Sequence, residues 1–221
     1  MNFEFDIRVQ GYLKTDEAPV IRRNINGEIE IAMMKFSLCP SWSKEFPTSF
    51  ATYNARMVRE NKGRIEKIYQ APTWKESFIK GQTCLVPLSS AIESSYFGLS
   101  AGKMIRFLKK DKGTYYVAGL WSTWVNKETG ELIDTFTLIT DDPYEFFFRH
   151  GHDRSVFVIK DEAFSEWLLN VDMTAEQRFN FLRNNRVALD WDVEEDRLLK
   201  PGWEKRAPSE KEISVIQVWT G

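Results

Sequence analysis

Glu93 is the residue whose position most needs a chemical reason. It follows Ala91-Ile92 in a segment that otherwise reads as a core strand. A carboxylate there is either exposed at an edge or buried with a partner, and a buried one carries a shifted pKa, the condition of a working acid or base. His150-Gly151-His152 places two imidazoles close together, but no acidic or cysteine cluster accompanies them. The spacing therefore predicts no metal site, and the pair reads as ordinary histidines at a loop end. Cys39 and Cys84 each lie in an apolar run, Phe36-Ser37-Leu38-Cys39 and Cys84-Leu85-Val86. Thiols so placed are expected to be buried and inert, because a reactive thiolate needs an electropositive, accessible setting. There is no phosphate-binding glycine loop, no GxGxxG after a strand and no GxSxG elbow, so no cofactor is expected.

Short elements must carry these residues. Strict alternation of Phe3, Phe5, Ile7 and Val9 with Glu4, Asp6 and Arg8 predicts a half-buried strand over 3–9. Asn26-Gly27 between Val20-Ile21 and Ile29, Ile31, Met33 predicts a hairpin, and its second strand is expected to continue from Lys35 toward Trp42, stopping at Pro40. Residues 55–68 read as a helix with Met57, Ile65 and Ile68 inward, weakened by Gly63. Thr73-Trp74-Lys75-Glu76 opens a second helix as a capping box. Strands are expected over 83–87, 91–97, 103–108, 114–124 and 132–140, punctuated by Gly98, Gly102, Gly113 and Gly130. Then come a short helix from Asp142-Pro143 to Phe148, a strand over 155–159, a helix over 161–169 capped by Asp161, and a helix over 174–184 capped by Thr174 with Gln177 three residues on. The chain beyond Val187 reads as acidic and irregular, with a last strand over 213–219. The expected fold is α+β: a mostly antiparallel, twisted, partly closed sheet with short peripheral helices.

Composition agrees with a soluble globular chain. Of 221 residues, 43% are hydrophobic and 28% charged, with a formal charge of −2. No apolar run is long enough to cross a bilayer, and Met1-Asn2-Phe3-Glu4-Phe5-Asp6 does not read as a signal peptide. Two cysteines exclude a disulfide framework and a Cys-rich zinc module, so a reducing cytoplasm is expected. The near-neutral total conceals a polarity: residues 56–112 hold 12 Lys/Arg against 5 Asp/Glu, and residues 161–221 hold 8 against 13. A basic middle with Tyr53, Tyr69, Trp74 and Phe78 interleaved could grip phosphates and stack bases, or be a solvated face. The aromatic content of 14% fits an aromatic-filled β core or such stacking platforms.

Seven segments, taken in order, resemble one family. Phe36-Ser37-Leu38-Cys39-Pro40-Ser41-Trp42 is similar to WGLxPxW, and Asn54-Ala55-Arg56 to NAR. Cys84-Leu85-Val86-Pro87 with Glu93 is similar to RCLVPxxxxxEW, and Ala118-Gly119-Leu120-Trp121 to AGLW. Thr135-Phe136-Thr137-Leu138-Ile139-Thr140 is similar to TFTxIT, His152-Asp153-Arg154 to the start of HDRMP, and Trp167-Leu168 to the WL that follows. Together they resemble the SOS-response-associated peptidase (SRAP) family of abasic-site processing proteins, over roughly two-thirds of the chain. The resemblance implies one α+β domain round a β-barrel-like sheet, with a positively charged cleft for single-stranded DNA. It implies that Glu93 transfers protons and His152 assists opening of the abasic sugar. Asn54 and Arg56 would hold the sugar and phosphodiester, Arg154 would bind phosphate, Phe36 would wedge or stack in place of a Trp, and Thr140 would line the cleft. An aldehyde electrophile needs such an acid/base pair, and arginines hold a strand without reading its sequence.

The same comparison marks departures. The chain begins Met-Asn where the family begins Met-Cys-Gly-Arg, so the N-terminal block and its thiazolidine-forming Cys are expected to be missing. Ser155-Val156 replaces Met-Pro, and Gln82-Thr83 replaces paired arginines. The expected organisation is a SRAP-like domain over 1–170 and an acidic extension over 171–221. Three readings follow: a domain that binds single-stranded or abasic DNA without the covalent step; a mis-started form of an active protein, with its cross-linking, lyase or self-cleaving chemistry upstream; or an interaction or regulatory protein whose acidic tail faces its own basic groove.

Overall fold

The computed structural model describes residues 16–220, so the strand expected over 3–9 lies outside the described residues. The architecture rests on a hairpin, β1 (Glu17–Arg23) and β2 (Ile29–Phe36), turning at Asn26-Gly27 as the sequence predicts. β6 (Thr83–Leu88) pairs with β1 and with β9 (Tyr115–Val125), which runs antiparallel to β10 (Leu132–Asp141). β10 closes the ring by pairing in parallel with β2 at Lys35 and Phe36, giving a closed five-stranded barrel. Strand alternation divides the apolar residues. Ala18, Val20, Met34, Cys84, Val86 and Phe136 form the cluster shared by the barrel strands. Leu85, Leu120 and Ile139 face the other way, against helices α1 (Lys75–Ile79), α3 (Phe164–Leu169) and α4 (Ala175–Asn185).

Three further pieces matter for function. β3 (Asn54–Arg56) lies parallel on β10, and β11 (Ser155–Val156) pairs antiparallel with the end of β10. A second sheet sets β7 (Ser90–Ser95) beside β8 (Lys103–Lys109) and β8 beside β12 (Trp191–Leu198). Between the sheets, Phe107 stacks on Phe147 of α2 (Glu145–Arg149) at 3.9 Å. The acidic end of the chain is used here. Lys103, Arg106, Lys110 and Lys112 pair with Glu195, Asp196, Asp190 and Glu194, so strand β12 answers the basic strand beside it. A last helix, α5 (Glu210–Ser214), follows, with Ser209 and Glu212 forming a capping box.

Several expectations are corrected. Residues 55–68 are not a helix: after β3 they form a separate hairpin, β4 (Val58–Asn61) and β5 (Arg64–Lys67). Lys62 and Gly63 both take positive φ, 52° and 76°, the turn that joins strands tightly and that no helix contains. Met57 and Ile68 are buried at its base, but Ile65 is 70% exposed. β2 ends at Phe36 because Ser37 takes φ 94° and turns the chain off the sheet. α1 forms without the expected Thr73 cap, since Glu76 bonds Lys80 and Ser41 instead. Thr174 and Gln177 do form their capping box. Residues 191–198, read as irregular, are β12, and the strand expected over 213–219 is a single bridge from Trp219 to Tyr144.

Candidate functional site

The site lies where the barrel meets the second sheet. In β3, Ala55 is buried against the helices, so its neighbours Asn54 and Arg56 turn to the opposite side. The register sets Asn54 across from Leu138 and Arg56 across from Thr140. β7 brings Glu93 on the face it shares with buried Ala91 and Ser95, opposite Ile105. The turn after α2 brings His152, and Arg154 follows just before β11 rejoins the barrel.

These elements enclose a cleft of about 310 Å3 lined by Tyr53, Asn54, Glu93, Tyr96, His152 and Arg154. His152 Nε2 stands 3.4 Å from Glu93 Oε2, with the imidazole side chain 10% and the carboxylate 26% exposed. The other ring nitrogen, Nδ1, is 3.1 Å from the Ser94 carbonyl oxygen. A carbonyl only accepts, so Nδ1 is the donor in that bond and Nε2 is the ring nitrogen that faces Glu93. A carboxylate and an imidazole side by side can take a proton from one atom of a bound molecule and return one to another.

Arginines flank the pair. Arg56 Nη2 lies 3.4 Å from Asp142 Oδ1, and Arg154 Nε lies 3.2 Å from Asp153 Oδ1. Burial pushes the Asp153 carboxyl upward, but the charges of Arg154, His152 and Arg56 outweigh it and hold the group below the usual carboxylate range. Each arginine thus has an aspartate beside it. Arg56 Nε and the Thr140 hydroxyl, neighbours across the ladder, are buried without a hydrogen-bond partner.

Of the residues singled out in the sequence, Asn54, Glu93, His152 and Arg154 line the cleft together. Arg56 stands at Asp142, and Thr140 is buried beneath it. Phe36 lies behind the wall, stacked on Phe136 at 5.1 Å with Tyr53 at 6.5 Å. Tyr96, Asp142 and Asp153 were not singled out for the site. Tyr96 follows the strand that carries Glu93, and Asp153 sits inside the His-Asp-Arg triplet, so both lay next to a visible signal.

Neither cysteine belongs to the cleft. Burial pushes the Cys39 thiol up to about 11 and raises Cys84 as well. Both thiols are expected to stay silent toward a disulfide titrant in the native protein and to react in denaturant; a fast-reacting native thiol would contradict this burial. Among the described residues, no group of three or more His, Cys, Asp or Glu is placed to hold a metal ion, and no helix is long and apolar enough to cross a membrane.

Comparison with known proteins gives the wider setting. No curated protein matches the chain. A solved protein from Bordetella bronchiseptica is similar with a TM-score of 0.64 and 24% identity, over 83% of this chain and 85% of that one. A protein from Bacteroides thetaiotaomicron follows at TM-score 0.61 and 21% identity, over 91% and 82%. A phage-related protein from Bordetella bronchiseptica has TM-score 0.56 and 15% identity, over 83% and 84%. At these identities the likeness is one of fold. The family model for SOS response associated peptidase (SRAP) matches residues 11–194, most of the chain and all of the cleft, and the chain belongs to the SRAP family.

Proposed function

We propose that this protein binds single-stranded DNA at abasic sites, as part of the DNA damage response and in the cytoplasm, where two reduced, buried cysteines fit. The observation that carries the reading is the Glu93–His152 pair, 3.4 Å apart in one cleft with Asn54 and Arg154. An abasic nucleotide has no base to unstack, so it enters such a cleft more readily than an intact one. Arg154 and Arg56 carry donors for phosphate oxygens, which hold a strand without reading its sequence. Tyr53 and Tyr96 offer faces for the flanking bases.

Opening the abasic sugar breaks the bond between C1′ and O4′. The C1′ hydroxyl gives up a proton as its oxygen becomes the aldehyde, and O4′ takes one. In this reading Glu93 and His152 accept the first and supply the second. The binding reading needs no covalent step, and neither Cys39 nor Cys84 offers a thiol to one.

Fluorescence anisotropy with abasic, intact single-stranded and duplex oligonucleotides tests the reading. The abasic strand is expected to bind best and the duplex worst. With two phosphate contacts, affinity should fall about seven-fold between roughly 50 and 200 mM salt. Arg154→Ala should lower that salt dependence, and Glu93→Gln should erase the preference for the abasic strand while leaving intact-strand binding. Equal, weak and salt-insensitive binding to all three substrates would overturn the proposal.

A further inference from the structure

Arg186 ends α4, outside every segment that carried the family resemblance. Its side chain is only 1% exposed. The guanidinium lies among three rings, 4.4 Å from Tyr144, 4.9 Å from Trp219 and 5.2 Å from Phe157. Its polar contacts all reach the place where β10 ends. Nη2 donates to the Asp142 carbonyl at 2.6 Å and to Ser155 Oγ at 2.9 Å, and Nη1 lies 3.4 Å from Asp141 Oδ2. Asp142 is also the residue whose carboxylate faces Arg56. Two arginines therefore hold one aspartate, Arg186 by its main chain and Arg56 by its side chain.

A buried guanidinium is costly to keep, and a hydrophobic residue of similar volume would often fill such a space at least as stably. What an apolar residue lacks is a rigid fork that fixes a main-chain carbonyl in direction. Trp219 completes the arrangement from the far end of the chain: its main-chain N–H donates to the Pro143 carbonyl at 2.9 Å, and its ring closes the cage. The stretch from 199 onward, past the region of the family match, is thereby tied to the cleft.

We propose that Arg186 is a positioning residue that aims Arg56 through Asp142, and that Trp219 latches it in place. This deepens the DNA-binding reading and rests on it only for what Arg56 then grips. A loosened Asp142 deprives Arg56 of the carboxylate it pairs with directly, so the guanidinium no longer points a fixed way.

The test uses the full chain with Trp219→Ala and Arg186→Met, read in two ways. The first needs no DNA: the Nε–Hε cross-peak of Arg56 in a nitrogen-15 NMR spectrum, assigned by Arg56→Lys, should shift or broaden in both variants. The second is binding of a single-stranded abasic oligonucleotide. Each variant should lose on the order of five-fold in affinity and about one phosphate's share of the salt slope. Combined with Arg56→Ala, neither should cost more than Arg56→Ala alone, whereas combination with Arg154→Ala should add fully. A merely structural role would lower stability without this selective coupling. An unmoved Arg56 signal in folded Trp219→Ala overturns the proposal, as does full additivity with Arg56→Ala. Should Arg186→Met fail to fold, Trp219→Ala at the half-buried periphery decides. Should the native protein bind no DNA, the NMR result alone judges the positioning, and the DNA-binding reading fails separately.

Discussion

Replacing Arg178 by alanine is expected to remove about 3–5 kcal/mol of stability, because a fully buried side chain and the four hydrogen bonds of its guanidinium fork are lost together. Arg178 lies in α4 with no measurable exposure and no ion pair among the described residues. Its fork reaches four carbonyls: Nη1 donates to Phe78 at 2.8 Å and Ile79 at 3.4 Å, Nη2 to Asn170 and Val171, each at 3.2 Å. Phe78 and Ile79 end α1, where helix carbonyls are left without partners and the backbone dipole favours a cation. One side chain thus joins α1, the turn after α3 and α4. Alanine removes those four hydrogen bonds, leaves the Phe78 carbonyl with only backbone donors, and opens a cavity. For a chain of this length, thermal denaturation should show a melting temperature lower by about 10 °C. Arg178→Lys should recover only part of the loss, because an ammonium on a flexible stem does not span two carbonyl pairs in a fixed plane. A change under about 2 °C for alanine would show that water replaces the fork without cost.

Arg178 also shows where sequence reading stops. In Ala175–Asn185 the capping box and helical spacing are visible, and they fix the element. They do not say which face is buried, and an arginine in such a helix reads as solvated. Arg186 is hidden for the same reason: burial of a charge depends on carbonyls and rings brought from distant segments. The barrel strands β6, β9 and β10, and β8 of the second sheet, were legible because they carry continuous or alternating apolar runs between glycine turns. β12 was not, since Asp192, Glu194 and Glu195 make its exposed side look like an acidic tail, and it becomes a strand only beside the lysines of β8. Met57, Ile65 and Ile68 fit helical spacing, yet a left-handed turn at Lys62-Gly63 folds them into a hairpin. The cleft was legible where a residue broke its local pattern, as Glu93 did in a core strand. Asn54, His152 and Arg154 stood out only through the order of short segments along the chain.

Gly151→Ala is expected to be the most damaging single-methyl change near the cleft, and its effect should reach Glu93. Gly151 has φ 93°, and a Cβ there would stand 1.8 Å from the Phe97 carbonyl oxygen and 2.7 Å from its carbon. Both are backbone atoms, so no side chain can swing aside. The contact exists because two segments are tied at this point: Tyr96 N–H donates to the Gly151 carbonyl at 3.1 Å, and His152 N–H to the Phe147 carbonyl at 3.1 Å. That tie sets His152 against Ser94 and Glu93. Relieving the overlap requires the turn after α2 to move away from the end of β7, which separates the imidazole from the carboxylate. Gly130→Ala is the control, since Gly130 has φ 74° with nothing within 4 Å of its added methyl. That variant carries only the left-handed strain, about 1–2 kcal/mol, or a fall of about 4 °C. Gly151→Ala should fall at least twice as far, and in the folded fraction it should lose preference for abasic over intact strands as Glu93→Gln does. If the two glycine variants melt within about 2 °C of each other, the close approach at Phe97 does not constrain the turn. If Gly151→Ala melts early yet keeps full abasic preference, the turn holds the fold together without holding His152 against Glu93.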